Sequence, residues 1–293
     1  TSYTDTAGNA GPSATTDNYA IDTIRPTVAA FTMSDTALKI DDTATVTLQF
    51  SEAVASFSSS ADITVENGSL ATMTSSDNIT WTGTFTPTSD VEDTSNILTL
   101  ATTYTDTAGN APASASTTAN YEIDTIAPTM TITSSTVSDG STSSDPAITL
   151  IFTSSEATTD FTVDDVTVTN GSMSNFASVS STVYTVIFTP SSNGATTVDV
   201  AANTFTDPAG NPNTVANQFN WTYDSTPPTV TIASTTVTSG TTTNDSSIAI
   251  TFTISESTTN FVNTDVIVSN GTLSNFAGSG TTYTATFTPT ADG

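Results

Sequence analysis

The chain repeats itself about every hundred residues. The segment Tyr3-Thr-Asp-Thr-Ala-Gly-Asn9 returns at residues 104–110, and again, with two substitutions, at residues 205–211. The aspartates of the three copies, 101 residues apart, are Asp5, Asp106 and Asp207. This period is the length of a whole small domain, whereas the repeats of solenoid proteins span about 20 to 50 residues. The sequence therefore predicts a tandem array of similar domains, whose function depends on the array as a whole.

Short proline-containing segments mark the boundaries between the repeats. Residues 22–27, 124–129 and 224–229 each run from an aspartate to Pro-Thr. Proline fixes φ and removes a hydrogen-bond donor, so these segments predict extended connectors that leave neighbouring domains in contact. The predicted organisation is a C-terminal remnant of one repeat (1–25), two complete repeats (26–126 and 127–226) and a truncated repeat (227–293).

The two ends of the sequence are out of phase with the repeats. We expect this pattern from a window cut out of a longer array. The alternative is strand complementation, in which the first residues of one chain complete the last domain of another.

Every local signal within a repeat is typical of β-structure. Val46, Leu48 and Phe50 alternate with polar residues, and residues 148–152 and 248–252 show the same pattern. Such alternation places the apolar side chains on one face of a half-buried strand. An Asn-Gly pair between two strand-like runs, the strongest short hairpin signal, occurs at matching positions of these repeats, at residues 67, 170 and 270. The pattern predicts an all-β protein, a linear array of immunoglobulin-like β-sandwiches without disulfide bonds.

The composition excludes several classes of function. The chain has 29 acidic and two basic residues, a net charge of −27, no histidine and no cysteine. A chain this acidic repels nucleic acid and anionic membrane surfaces, and its apolar runs are too short to span a bilayer. Without histidine and cysteine it lacks the usual acid-base and nucleophilic groups of enzymes, so we expect a protein that is not an enzyme.

We name the strands of each repeat A to G in chain order. In a sandwich of this topology, the recurring acids converge on each domain junction. The linker arrives at the end of the sandwich that carries the B–C and F–G loops, so acids far apart in sequence meet there. The linkers contribute Asp22, Asp124 and Asp224, and the ends of strand B contribute Glu52, Glu156 and Glu256. The F–G loops contribute Asp106 and Asp207. The starts of strand C, included from topology alone, contribute Asp62, Asp165 and Asp265.

Carboxylates crowded at a partly buried junction repel one another unless a cation compensates them. Calcium accepts six to eight oxygen ligands in flexible geometry, which suits such loops better than magnesium or zinc does. The sequence therefore predicts calcium as the bound ion. For the aspartate of Asp-x-Ala-Gly-Asn, a purely local role as a turn former is an equal alternative.

The motif Asp-x-Ala-Gly-Asn, followed by a strand ending in Tyr/Trp-x-x-Asp-Thr/Ser and then Pro-Thr, resembles the bacterial Ig-like repeats of giant surface adhesins. These are proteins of the repeats-in-toxin type and biofilm-associated proteins, and the resemblance covers essentially the whole chain. It implies extender modules at the bacterial cell surface, stiffened by calcium, with neighbouring repeats as partners and a distal ligand that the sequence does not identify. It also implies ligand sets, which are Asp22, Glu52 and Asp106; Asp124, Glu156 and Asp207; and Asp224 with Glu256.

Two other functions stay open on the sequence. One is a self-assembling extracellular filament or surface-layer subunit, which the out-of-phase ends favour. The other is an array of carbohydrate-binding accessory modules, which would need an exposed aromatic platform. Trp81 and Trp221 are more simply interpreted as core or strand-edge aromatics of the sandwiches.

Overall fold

The computed structural model describes residues 3–290 and confirms the all-β prediction. Two compact units are present. The first consists of the described residues up to 141 together with residues 147–191 and 195–221. The second consists of residues 142–146 and 192–194 together with the described residues from 222 onward. The helices of the described residues have at most four residues, and none is long and apolar enough to cross a membrane.

The first complete repeat forms three small antiparallel or mixed sheets. Their strand orders are β1-β3-β6-β5, β2-β10-β7 and β4-β8-β9. A single helical turn, α1 (Ser59–Asp62), precedes β4. The strands are β1 (Val28–Met33), β2 (Ala37–Leu38), β3 (Ala44–Phe50), β4 (Ile63–Thr64), β5 (Gly68–Leu70), β6 (Thr80–Pro87), β7 (Glu92–Asn96), β8 (Thr99–Leu100), β9 (Ser116–Thr117) and β10 (Tyr121–Asp124).

The second repeat shows the sandwich topology in its plainest form. One sheet has the order β11-β13-β16-β15 and the other β12-β18-β17-β14. In letters these are A-B-E-D and A′-G-F-C, the arrangement of constant-type immunoglobulin domains. Its strands are β11 (Met130–Ser134), β12 (Thr142–Ser143), β13 (Ile148–Ser154), β14 (Val166–Thr169), β15 (Gly171–Ser178), β16 (Val183–Pro190), β17 (Gly194–Val200) and β18 (Phe219–Tyr223), with a 3-10 turn at Val163–Asp165.

The described part of the third repeat forms one antiparallel sheet of order β19-β20-β21. The strands are β19 (Val230–Ser234), β20 (Ile248–Thr258) and β21 (Gly271–Pro289), with a 3-10 turn at Asn263–Asp265. By sequence alignment, β21 covers the residues that form both β15 and β16 in the second repeat.

The alternating apolar residues form the cores as the period-two pattern predicts. Val46, Leu48 and Phe50 of β3 are buried, and Leu150 and Phe152 of β13 occupy the matching positions. Burial of such side chains stabilises each sandwich by about 1.5 to 3 kcal/mol per residue. The tryptophans also belong to the cores: Trp221 is buried, and the half-buried Trp81 packs against the core of the first repeat.

The hairpin prediction for the Asn-Gly pairs is wrong. Asn170 has a φ of 53°, but Gly171 does not have the positive φ that a type I′ turn requires. The two strands that this pair joins, β14 and β15, lie in different sheets. Glycine is needed for another reason, because a Cβ atom at Gly171 would lie 2.2 Å from Cζ of Phe188. Gly68 and Gly271 have the same relation to Phe85 and Phe287.

Candidate cation site

A reciprocal pair of hydrogen bonds places each linker beside the end of strand B. The Thr129 amide donates to Oγ of Ser155 at 2.9 Å, and the Ser155 amide donates to the Thr129 carbonyl at 2.9 Å. Thr27 and Ser51 form the same pair in the first repeat. The serine directly precedes the glutamate of interest, so this pairing brings Glu156 and Glu52 next to the linker that carries the aspartate.

The Asp-x-Ala-Gly-Asn loop folds around its own aspartate. Oδ1 of Asp207 accepts hydrogen bonds from the amides of Gly210 (2.8 Å) and Asn211 (2.9 Å), and Oδ2 accepts one from Nδ2 of Asn211 (2.9 Å). The loop at Asp106 is closed by equivalent bonds from Ala108 and Asn110. The aspartate therefore does form the turn, and its Oδ2, which accepts a single hydrogen bond from the asparagine, keeps a lone pair for another partner.

Two triads of carboxylates result, both within the first unit. The first triad is Asp22, Glu52 and Asp106, and the second triad is Asp124, Glu156 and Asp207. In each, one oxygen from every residue lies within 4.8 Å of the other two. Asp106 and Asp207 are buried, and both glutamates are half-buried. The linker aspartates differ, since Asp22 is exposed and Asp124 is half-buried. The linker, the end of strand B and the F–G loop thus meet as the topology predicts.

Asn211 links the second triad to the preceding repeat. Its Nδ2 donates to the Asp124 carbonyl at 2.9 Å as well as to Asp207, and its Oδ1 accepts from the Ile40 amide at 2.8 Å. The side chain is 0% exposed. Lys39 adds a hydrogen bond from Nζ to the Gly210 carbonyl at 3.4 Å. In the first triad, Nδ2 of Asn110 donates to the Asp106 carboxylate at 2.8 Å and to the Asp22 carbonyl at 3.3 Å.

The pKa of the glutamate in each triad is raised. Burial raises the pKa of Glu156 to about 7, with further contributions from the charges of Asp124, Asp207 and Glu92. Burial, followed by the charges of Asp22 and Asp106, raises the pKa of Glu52 in the same direction.

The aspartates differ according to their hydrogen bonds. Burial raises the pKa of Asp124, which its bond from Ile126 only partly offsets. For Asp106 burial acts upward, but the bonds from the Asn110 side chain and from the loop amides outweigh it and lower the pKa. Asp106 is therefore held as a carboxylate by its own turn, while the glutamate beside it is not.

The donor set fits a hard divalent cation. All three side chains of each triad offer carboxylate oxygens, the ligands that calcium prefers and that zinc, with its preference for nitrogen and sulfur, does not. Oε1 of Glu156 is buried and has no hydrogen-bond partner. A buried, unpaired carboxylate oxygen beside two other carboxylates is costly, and a bound cation would relieve that cost.

Five of the acids predicted from sequence do not join a triad. Asp165 accepts from the Thr162 amide (2.7 Å) and hydroxyl (3.1 Å), and thereby caps a 3-10 turn. Asp62 and Asp265 accept in the same way from the Ser58 and Val262 amides, and Asp62 also accepts from the Thr103 hydroxyl. Asp224 bonds to Asn193 and to the Thr226 amide, and neither it nor Glu256 is in a cluster of three within residues 3–290. Their role as metal ligands stays a prediction.

Three residues near the second triad were not predicted from the sequence. Ser155 was not, although a serine precedes the glutamate in every repeat. The contact of Asn211 with Ile40 was not, because it depends on the neighbouring repeat. Glu92, whose charge contributes to the raised pKa of Glu156, has no counterpart in the second repeat, where Ala195 holds the matching position.

The chain belongs to the bacterial Ig-like domain family. The family model matches three consecutive segments, residues 22–123, 124–223 and 224–293. This result accounts for the repeat period, the sandwich topology and the position of each linker aspartate at the start of a matched segment. No curated protein sequence matches the chain.

Several solved structures are similar to the chain. The adhesin InvE of Yersinia pseudotuberculosis is 16% identical over 67% of this chain and 58% of its own, with a TM-score of 0.28. Invasin, described as a bacterial integrin-binding protein, is 15% identical over 91% and 54%, with a TM-score of 0.30. InvD of Y. pseudotuberculosis is 16% identical over 77% and 68%, with a TM-score of 0.30. The chain thus spans little more than half of the first two proteins, and likeness at this level carries no functional conclusion.

Proposed function

We propose that this chain is a non-enzymatic extender region of a bacterial surface adhesin or extracellular filament, in which calcium stiffens the junctions between repeats. The observation that carries the proposal is the second triad, with the buried, unpaired Oε1 of Glu156. Membership of the bacterial Ig-like family supports the structural role.

The residues that would hold the ion come from both sides of a junction. Asp124 belongs to the linker that ends the first repeat, whereas Glu156 and Asp207 belong to the second repeat. A cation bound by all three neutralises their mutual repulsion and ties the linker to the B–C and F–G loops. Asp22, Glu52 and Asp106 would act in the same way one period earlier.

Small-angle X-ray scattering tests this proposal on the whole chain, in calcium and after chelation. We expect a longer maximum dimension and a narrower range of conformations with calcium. The double variant Glu52→Gln/Glu156→Gln should lose this response, while Glu122→Gln, which removes one charge outside the triads, should retain it. A maximum dimension that does not change with calcium would contradict the proposal.

A further inference from the structure

Asp160, in the B–C loop of the second repeat, bonds directly to the F–G loop. Its Oδ1 and Oδ2 each accept from the Thr206 amide at 3.1 Å, and Oδ2 also accepts from the Thr206 hydroxyl at 2.8 Å. Thr206 directly precedes Asp207, and Asp160 follows Glu156 by four residues. The contact therefore joins the two loops that carry Glu156 and Asp207.

Both carboxylate oxygens of Asp160 are engaged by donors. Besides the bonds from Thr206, Oδ1 accepts from the Thr158 hydroxyl at 2.7 Å. Burial raises the pKa of Asp160, but these hydrogen bonds outweigh it and lower the pKa. Hydrogen bonds to a charged acceptor are about twice as strong as those between neutral groups. Among the described residues, Asp160 lies outside the second triad, so its carboxylate acts on the F–G loop and not as a member of the cluster.

The B–C loop is itself held to the body of the sandwich at Thr158, which is 2% exposed. The Thr158 amide donates to the Ser181 carbonyl at 2.8 Å, and its carbonyl accepts from the Tyr184 hydroxyl at 2.8 Å. Tyr184 belongs to β16, a strand of the core sheet. Since Thr158 also donates to Asp160, hydrogen bonds connect the sheet, the B–C loop and the F–G loop in series.

The first repeat makes the same contact with a different residue. Ser56 follows Glu52 by four residues, as Asp160 follows Glu156, and its Oγ accepts from the Thr105 amide at 2.9 Å. The two hydroxyl oxygens lie 3.1 Å apart. Thr105 directly precedes Asp106. Because a serine and an aspartate serve at the same place, the recurring feature is an acceptor oxygen for this amide and not a charge.

We infer that Asp160 is a positioning residue of the second cation site, which holds Asp207 beside Glu156 before an ion arrives. The inference rests on the proposed calcium function. With these two ligands already in place, the ion has only to bring in the linker aspartate, Asp124. Residues that orient metal ligands without touching the metal typically change its affinity by roughly 10- to 100-fold when they are removed. Ser56 has the same role at the first triad.

Calcium titration calorimetry on the full chain tests the inference in the background of Glu52→Gln, which removes a ligand of the first triad. Adding Asp160→Ala should weaken calcium binding roughly tenfold or more. Asp160→Asn loses the charge but keeps an oxygen acceptor for the Thr206 amide, and should keep most of the affinity. Thr206→Val, which removes only the hydroxyl donor, should weaken binding to a smaller extent. Asp164→Ala removes an exposed acid of the same loop and is the control for charge.

Hydrogen exchange of the Thr206 amide in the metal-free protein supplies a second readout. Asp160→Ala should speed this exchange roughly tenfold, because the amide loses a charged acceptor. Unchanged exchange, unchanged calcium affinity, or equal weakening by Asp160→Asn or Asp164→Ala would each overturn the inference and leave the proposed function standing. Absence of calcium binding in the wild-type chain would overturn the proposed function, and the exchange rates would then decide whether Asp160 holds the F–G loop.

Discussion

Asn211 joins three segments through a single side chain. Its amide contacts the Asp207 carboxylate, the Asp124 carbonyl and the Ile40 amide, and it is fully buried. Asn110 holds the same place in the preceding loop, and among residues 3–290 its side chain bonds to Asp106 and to the Asp22 carbonyl without a partner like Ile40. The two asparagines therefore separate the contribution of the loop itself from that of the contact between repeats.

Asn211→Ala should destabilise the first unit by about 2 to 3 kcal/mol, because it removes a hydrogen bond to a charged group and leaves buried polar atoms unpaired. Asn110→Ala should cost roughly 1 kcal/mol, since its site is more exposed. Urea denaturation of both variants without calcium measures the difference. Equal losses would show that the contact with Ile40 adds no stability.

The pH dependence of the stability of the metal-free protein should reveal the protonation of the Glu156 carboxyl group. Its pKa is about 7 in the folded protein and 4.5 ordinarily, so the folded state binds the proton more tightly than the unfolded state does. This group therefore stabilises the fold fully below pH 4.5, and that stabilisation is lost as the pH rises to about 7. Calorimetric melting temperatures in metal-free buffers should fall over this range, and Glu156→Gln should flatten the curve. A wild-type melting temperature that rises instead would contradict the assignment.

At the scale of elements, the turn between β14 and β15 depends on the ring of Phe188. In Gly171→Ala the new Cβ would lie 2.2 Å from Cζ of that ring and 2.8 Å from the Thr189 carbonyl oxygen. Such overpacking should destabilise the protein by about 1 to 3 kcal/mol. Chemical denaturation measures it, with the exposed neighbour Ser172→Ala as the control, for which a change within about 0.5 kcal/mol is expected. A tolerated alanine at Gly171 would show that the ring moves freely.

The strands were predictable from sequence, and the directions of side chains at loop ends were not. Period-two alternation is enough to place Val46 and Phe50 in a core, because the pleat fixes which face each residue takes. Topology likewise brings Asp124, Glu156 and Asp207 to one end of the sandwich. It does not decide where Asp165 points, since a carboxylate three residues into a turn bonds to the nearby Thr162 amide. Glu92 could not be found by a search for recurring acids.

At the scale of the whole molecule, the net charge of −27 acts against the compact state. Salt should therefore stabilise the metal-free chain, because the Debye length falls from about 30 Å at 0.01 M to about 8 Å at 0.15 M. Scanning fluorimetry across this range should show a rising melting temperature in chelator and a smaller rise in calcium. A melting temperature that falls with added salt would mean that specific ion pairs outweigh the general repulsion.

Each triad takes one residue from the linker and two from the repeat that follows it. Any linker of this pattern could complete any following repeat, so gaining or losing one whole repeat in phase leaves every remaining triad with its three members. A deletion that begins within one triad and ends out of phase with it would divide that triad. The gene for such an array could therefore lengthen or shorten by recombination between its own copies, in steps of one period, without new ligands having to evolve.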